Sequence, residues 1–210
     1  MGEEEMPTLN ILDETYTVRI TIDETPTPIQ AIIDTASAYT VIETTVCTDC
    51  ATGKIDKASG NGGFSVTATA ASGSLSNPES TYSGFEGTAT LCIAKDGVYS
   101  TLPTTSNIAA MPCIQNANVH FADVVATPNE HAVASLGMAL GNGADSAGAT
   151  IAADKFFMNQ FETAGKLDAS TKKFGLGILP DAGLGSAAGT TTSYMDIGTL
   201  STAGQKTSDR

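Results

Sequence analysis

Apolar and polar residues alternate along several short stretches of the chain, and the clearest of these is TYTVRITI at 15–22. The apolar side chains fall on one face there and the polar ones on the other, which is typical of a strand with one buried face. The next segment, DETPTP, is rich in turn residues, and IQAIID at 29–34 begins a second apolar run. The pattern predicts a β-hairpin over 15–34.

The same reasoning predicts the other elements. Further strands are expected over 38–46, 64–70, 85–94, 118–126, 132–142, 174–179 and 193–198. The polar, glycine-rich stretch 51–63 is predicted to be a surface loop, and 71–81 is predicted to be a loop or a mobile hairpin tip. Only 150–165 carries apolar residues at helical spacing, with Gly165 where a helix would end. We expect an all-β fold with one substantial helix.

Charge and composition exclude some classes of partner. The 210 residues include 23 acidic and 10 basic side chains, a formal net charge of −13 that repels phosphate backbones and anionic membranes. The chain has no run of apolar residues long enough to span a bilayer. Its start, MGEEEMPTLN, lacks the apolar segment of a secretory signal. We expect no nucleic-acid partner, no membrane span and no signal peptide.

The four cysteines are Cys47, Cys50, Cys92 and Cys113. An even number suggests two disulfides, although reduced thiols in a cytosolic protein are the alternative. A zinc site is the weaker interpretation, because Cys92 and Cys113 do not form a second close pair. A redox pair would be expected at the start of a helix in a βαβ unit, and CTDC has no such surroundings. We therefore expect no metal and no cofactor.

The candidate chemistry lies in AIIDTASAYTVI, residues 31–42. Asp34 and Thr35 fall between two apolar runs, where the flanking sequence indicates that the backbone enters a core. Taken alone, the pair fits an ordinary loop aspartate whose threonine caps a turn. The two histidines, His120 and His131, have no catalytic motif around them, and we interpret them as strand-face or loop residues.

The order of these pieces resembles the N-terminal lobe of pepsin-like aspartic proteases. The matching stretches are TYTVRITIDETPTPIQAIIDTAS, AYTVI, CTDC, AVASLGMALG, KFFMNQFETAGKLDASTKKFGLGI and YMDIGTL. The resemblance implies a single pepsin-like lobe, the acid-protease fold, over 13–200. It leaves an acidic tail over 1–12, and a disordered tail or the start of an inter-lobe linker over 201–210.

In that family two carboxylates share a proton, and the charged one activates a water for attack on a peptide bond. The resemblance implies that Asp34 is the catalytic aspartate of this lobe. Thr35 would brace the loop, and the hydroxyl of Ser37 would hydrogen-bond the carboxylate. The chain would then be an aspartic endopeptidase lobe acting on peptides or proteins. It would need a second lobe on another chain, or a second copy of itself.

The resemblance also bears on the cysteines and on localisation. It favours disulfides between Cys47 and Cys50 and between Cys92 and Cys113. The fold and the cysteines together favour a secretory, vacuolar or extracellular compartment.

Several departures from the family pattern support a second hypothesis. Ala36 stands where the family has glycine, and Thr40 where it has tryptophan. The stretch VTATAASG lacks the tyrosine of the family's flap, which Tyr82 could replace only in a rebuilt flap. No second Asp-Thr-Gly or Asp-Ser-Gly follows. The alternative is a catalytically inactive pepsin-like module that binds a partner or builds an assembly.

Overall fold

Most of the predicted strands are present in the computed structural model. The structure describes residues 5–7, 9–11, 15–22, 28–44, 47, 73–76, 81–93, 111–125, 134–139, 150–167, 173–177 and 194–198. The strands are β1 (Glu5–Pro7), β2 (Leu9–Ile11), β3 (Thr15–Ile22), β4 (Ile29–Asp34), β5 (Val41–Glu43), β6 (Gly73–Ser76), β7 (Thr81–Ile93), β8 (Cys113–Val125), β9 (Ala134–Gly137), β10 (Phe174–Gly177) and β11 (Tyr194–Ile197). The helix α1 spans Phe157–Thr163. The predicted loop at 51–63, the strand at 64–70 and the tail at 201–210 lie outside the described residues.

Six strands pair into a closed ring, in the order β3, β4, β9, β5, β8, β7 and back to β3. The β4–β9 and β5–β8 pairs are parallel and the other four are antiparallel. β2 pairs with β3 and β6 pairs with β7, next to the ring. A second sheet has the order β1, β11, β10. The parallel β4–β9 pair matters most for function, because it brings the end of β4 beside the end of β9.

The predicted hairpin is confirmed, but its polar face is only partly open to solvent. β3 and β4 pair antiparallel, with Val18 opposite Ala31. Val18, Ile20 and Ile22 are buried as the alternation predicts, yet Thr17 and Thr21 on the other face are buried as well. Arg19, which lies between these two threonines, is half-buried, so the polar face of β3 is partly covered.

A large cluster of buried apolar side chains joins the ring, α1 and the second sheet. Phe121 of β8 lies in this cluster and stacks on Phe85 of β7, with ring centroids 5.3 Å apart. Phe157 and Phe161 of α1 stack on each other at the same centroid distance of 5.3 Å. Met195 of β11 belongs to the cluster too, so the second sheet shares the core of the ring.

Two segments predicted as non-strand contain short strands. The acidic tail expected over 1–12 includes β1, which pairs with β11, and β2, which pairs with β3. The loop or hairpin tip expected over 71–81 includes β6, which forms an antiparallel hairpin with β7. Such three- and four-residue strands are determined by the partner strand rather than by their own pattern.

The helix is shorter than the 16 residues from 150 to 165 that the sequence predicted. A 3-10 turn at Ala153–Lys155 precedes α1, and the extended backbone of Phe156 separates the two. Gly165, with φ of +70°, follows the helix as predicted. No helix in the described part of the chain is long and apolar enough to cross a membrane.

Amide side chains stabilise the break before α1. The carbonyl of Ala153 accepts from Asn159 (2.8 Å), and that of Asp154 accepts from Asn118 (2.9 Å). Gln160 is buried and reaches β8, where its Oε1 accepts from the backbone N–H of Asn118 (2.7 Å) and its Nε2 donates to the Asn118 carbonyl (3.4 Å). The side chain of Gln160 therefore pairs with Asn118 as a neighbouring strand would.

The predicted disulfide between Cys92 and Cys113 is present, and it joins the end of β7 to the start of β8. Both cysteines are buried. Cys47 is also disulfide-bonded. Its predicted partner, Cys50, lies outside the described residues, so that pairing stays a prediction.

Candidate functional site

Asp34 is the last residue of β4, and the loop 35–40 that follows is held by the end of β9. In the parallel β4–β9 pair, Asp34 lies opposite Gly137. The N–H of Met138 donates to the Asp34 carbonyl (2.7 Å), and the N–H of Ala139 donates to the carbonyl of Ser37 (3.0 Å). The backbone of the loop is therefore fixed at two points before any side chain is considered.

The carboxylate of Asp34 is fixed by its own loop. Its Oδ1 accepts from the backbone N–H of Ala36 (2.9 Å) and from that of Ser37 (3.1 Å). Asp34 is 9% exposed, so only a small part of the residue is accessible to solvent. An aspartate that bonds the backbone two and three residues ahead is a common turn-forming arrangement. Here it gives the carboxylate one orientation at the strand end.

Ser37 does not make the contact that the family resemblance implied. Its hydroxyl accepts from the N–H of Tyr39 (3.2 Å) and donates to the Tyr39 carbonyl (3.4 Å). Only the backbone N–H of Ser37 reaches Asp34. The expected hydroxyl–carboxylate bond is thus replaced by a local turn, because the Ser37 side chain is buried against the backbone that follows it.

Thr35 and Ala36 are exposed beside the buried Asp34. Among the described non-glycine residues, only Asn116 has a positive φ (56°), so Ala36 adopts a backbone conformation that needs no glycine. The alanine therefore leaves this loop unstrained. Its exposed methyl would matter only to a molecule that approaches Asp34 from outside.

Gly137 supports the loop through a close contact with the loop backbone, and no pattern in the sequence pointed directly to this role. A Cβ at Gly137 would overlap the Tyr39 carbonyl oxygen and lie 2.7 Å from the Tyr39 carbonyl carbon and 2.8 Å from that of Ala38. Glycine is required because the loop crosses directly over β9. The glycine inside AVASLGMALG was predicted to lie in a buried strand, which is confirmed, but its contact depends on the fold.

The β6–β7 hairpin supplies a tyrosine near the same loop. Tyr82 of β7 lies opposite Leu75 of β6. Tyr82 and Tyr39 both pack against a small buried cluster formed by Val41, Cys47, Ala122 and Val125. The tyrosine that the sequence suggested for a rebuilt flap therefore shares its packing with a residue of the Asp34 loop.

Asp34 is the carboxylate that the structure fixes at this site. No group of three or more histidine, cysteine, aspartate or glutamate side chains among the described residues could hold a metal ion. The structure brings Asp34, Thr35 and Ser37 together in one loop. The Cys92–Cys113 disulfide lies at the opposite end of the β7–β8 pair from Tyr82.

Comparison with known proteins gives a fold relationship. No protein-family model and no curated protein matches the sequence. Among solved structures, the chain is similar to the crystal structure of an aspartic proteinase from Irpex lacteus, with a TM-score of 0.55 and 15% sequence identity. The match covers 96% of this chain and 49% of that one, so the chain spans about half the length of the protein it resembles. The likeness shows a fold shared with part of an aspartic proteinase.

Proposed function

We propose that residues 13–200 form a single pepsin-like lobe that contributes Asp34 to the active site of an aspartic endopeptidase. The observation that carries the proposal is the geometry at the end of β4. There two backbone N–H groups orient a nearly buried carboxylate beside two exposed small residues. The fold likeness to an aspartic proteinase supports the proposal, since the chain corresponds to about half of that protein.

A second carboxylate is needed for this chemistry. In the proposed reaction, the charged member of the pair takes a proton from a water as the water attacks the peptide carbonyl, and the protonated member donates to the substrate. The sequence holds no second Asp-Thr-Gly or Asp-Ser-Gly segment. The other aspartate therefore comes from a second lobe or from another copy of this chain, and the substrate is a peptide or protein.

The cysteines support an oxidising compartment for this lobe. The Cys92–Cys113 disulfide is buried, and such bonds persist mainly in secreted or luminal proteins. We propose a secretory, vacuolar or extracellular location on this ground.

Two observations favour the alternative function, an inactive lobe that binds a partner. The Ser37 hydroxyl bonds Tyr39 and not the Asp34 carboxylate. Ala36 places an exposed methyl beside Asp34, where a partner loop would have to approach. In this alternative the surface around Asp34 is a protein interface, and no water is activated there.

The test is cleavage of a fluorogenic peptide library between about pH 3 and pH 7, the range in which carboxylate pairs share a proton. We expect cleavage that a statine-type inhibitor blocks, and a loss of at least about a thousandfold in Asp34→Asn. If two copies form the site, the specific activity rises with chain concentration as dimers appear in sedimentation. Asp154→Asn, which changes an exposed aspartate, is the matched control and should retain activity.

Two results would contradict the protease proposal. One is cleavage that survives both the inhibitor and Asp34→Asn, since a contaminant or another site would then be responsible. The other is the absence of cleavage by the chain, alone or with its partner chain, together with no gain in Ala36→Gly. If Ala36→Gly alone restores cleavage, the methyl blocked the approach and the lobe descends from an active half-site.

A further inference from the structure

His120 is a buried histidine in the middle of β8, outside the Asp34 site. It lies opposite Glu86 on β7 and opposite Val41 on β5. Its side chain is on the face away from the main core, since its neighbours Val119 and Phe121 belong to that core. Yet only 4% of the residue is exposed. A strand-face histidine was expected from the sequence, but a buried one was not.

The polar atoms around this histidine are poorly satisfied. His120 Nε2 and Thr40 Oγ1 are buried and form no hydrogen bond within the described part of the chain. The two residues are joined directly, because the N–H of His120 donates to the Thr40 carbonyl (2.9 Å). We call this contact between β8 and the end of the Asp34 loop the His120–Thr40 seam.

Charged groups surround His120 with opposing effects. They are Glu86 of β7, Lys155 of the 3-10 turn and Asp123 of β8 itself. Burial lowers the pKa of His120 below its usual range, and the charge of Lys155 acts in the same direction. Glu86 and Asp123 act against it without cancelling the effect of burial. His120 is therefore neutral in the folded state at neutral pH.

Protonation of His120 opposes the folded state. A histidine whose pKa is lower in the folded state than in the unfolded state takes up protons on unfolding. Its contribution to the free energy of unfolding is therefore fully present above the unfolded pKa near 6.5, and it is lost as the pH falls toward the folded pKa. One proton changes the opening constant by at most about tenfold per pH unit in that window. The charge would appear at a position where Nε2 has no acceptor among the described residues.

We propose that His120 is an acid-sensitive switch that loosens the His120–Thr40 seam and, through it, the loop that holds Asp34. Thr40 ends the loop 35–40 and is tied to β8 through the His120 N–H. When His120 needs solvent or an acceptor for its charge, β8 and the loop end separate first. This inference does not rest on the proposed activity, because it concerns the order of the loop and not catalysis.

The test is hydrogen exchange of individual amides between pH 8 and pH 5. Each exchange rate is compared with the intrinsic rate of the unprotected amide at the same pH, which gives the protection of that amide. In this range histidine side chains are the main groups that change charge. The reporters are the N–H groups of Ala36, Ser37, Met138 and Ala139, all of which are bonded within or to the loop. We expect their protection to fall up to about tenfold per pH unit below pH 6.5. The amide of Ile93, bonded to the Pro112 carbonyl, is the distant control and should change less.

Two variants decide the cause. His120→Gln is neutral at every pH and should abolish the fall in protection, whereas His131→Gln should leave it as in the parent chain. A fall that persists in His120→Gln, or loop protection that is constant down to pH 5, overturns the proposal. If His120→Gln does not fold, NMR titration of the His120 ring decides: a folded pKa at or above 6.5 overturns the proposal, and a lower one supports it.

Discussion

The Asp34 loop and the His120–Thr40 seam each bury a titratable side chain, but they do so in opposite ways. Asp34 receives two backbone N–H groups on one oxygen. His120 Nε2 has no hydrogen-bond partner among the described residues. The two regions meet at Thr40, so a well-satisfied polar site borders directly on a poorly satisfied one. The difference indicates that the loop is rigid at its start and depends on an uncharged histidine at its end.

The largest effect should come from removing the support of the loop. Gly137→Ala places a methyl against the backbone of Tyr39 and Ala38, which cannot move without breaking the bonds that hold the loop. We expect a loss of about 3 kcal/mol in the free energy of unfolding, measured by urea denaturation at pH 8. The exchange protection of the Ala36 and Ser37 amides should fall by more than the global change explains.

The matched control is Gly165→Ala. That glycine has φ of +70° and nothing near its missing Cβ, so only backbone strain is added. We expect a loss of about 1 kcal/mol and an unchanged loop. Equal losses in the two variants would show that the contact below the loop is unimportant.

A smaller effect should come from the contact between α1 and β8. Gln160→Leu removes the amide that pairs with both backbone groups of Asn118 in β8. We expect a loss of about 2 kcal/mol in urea denaturation, because the N–H and the carbonyl of the half-buried Asn118 would lose this partner. Asn159→Ala removes one exposed bond to Ala153 and should cost about 0.5 kcal/mol. A cost for Gln160→Leu no larger than this would refute the role assigned to the amide.

The smallest effect should come from the charges around His120. Glu86→Gln removes a carboxylate that favours the protonated histidine, so the folded pKa of His120 falls further. At pH 8 we expect a change below about 1 kcal/mol, because Glu86 is 49% exposed and its ion pair with Lys155 is screened by solvent.

At pH 5 the same variant should lose more stability than the parent chain. The acid-sensitive window below pH 6.5 extends to lower pH when the folded pKa drops. Urea denaturation at pH 8 and pH 5 measures the difference. Asp154→Asn is the control, since it changes an exposed charge in the same region. A parallel pH profile for parent and Glu86→Gln would argue against Glu86 acting on His120.

Alternation of side chains predicted β3, and apolar β-type runs predicted β4, β8 and β9, because each is long or apolar enough to carry its own pattern. The short strands β1, β2 and β6 were missed, since their conformation comes from the strand beside them. The position of Asp34 at a strand end could also be predicted. The contacts that surround Asp34 could not be predicted from the sequence.

The details of the site depend on contacts between distant segments. The bond from Met138 to Asp34 and the overlap at Gly137 arise where β9 passes under the loop, about 100 residues along the chain. The burial of His120 depends on the packing of β8 between β5 and β7, whereas the Ser37 hydroxyl bonds Tyr39 within its own loop. A family resemblance supplies an expected hydrogen bond, but the local chain decides whether the hydroxyl can make it.

The contact between Gln160 and Asn118 has a further consequence for how copies of this chain meet. A strand whose backbone groups are unpaired can pair with a strand from another chain. β5 is three residues long and leaves Asn118 of β8 beyond its end. The glutamine side chain fills that place, so an incoming strand finds it occupied. The side chain of Gln160 therefore blocks extension of the sheet at this position, and copies of the chain would have to associate through other surfaces.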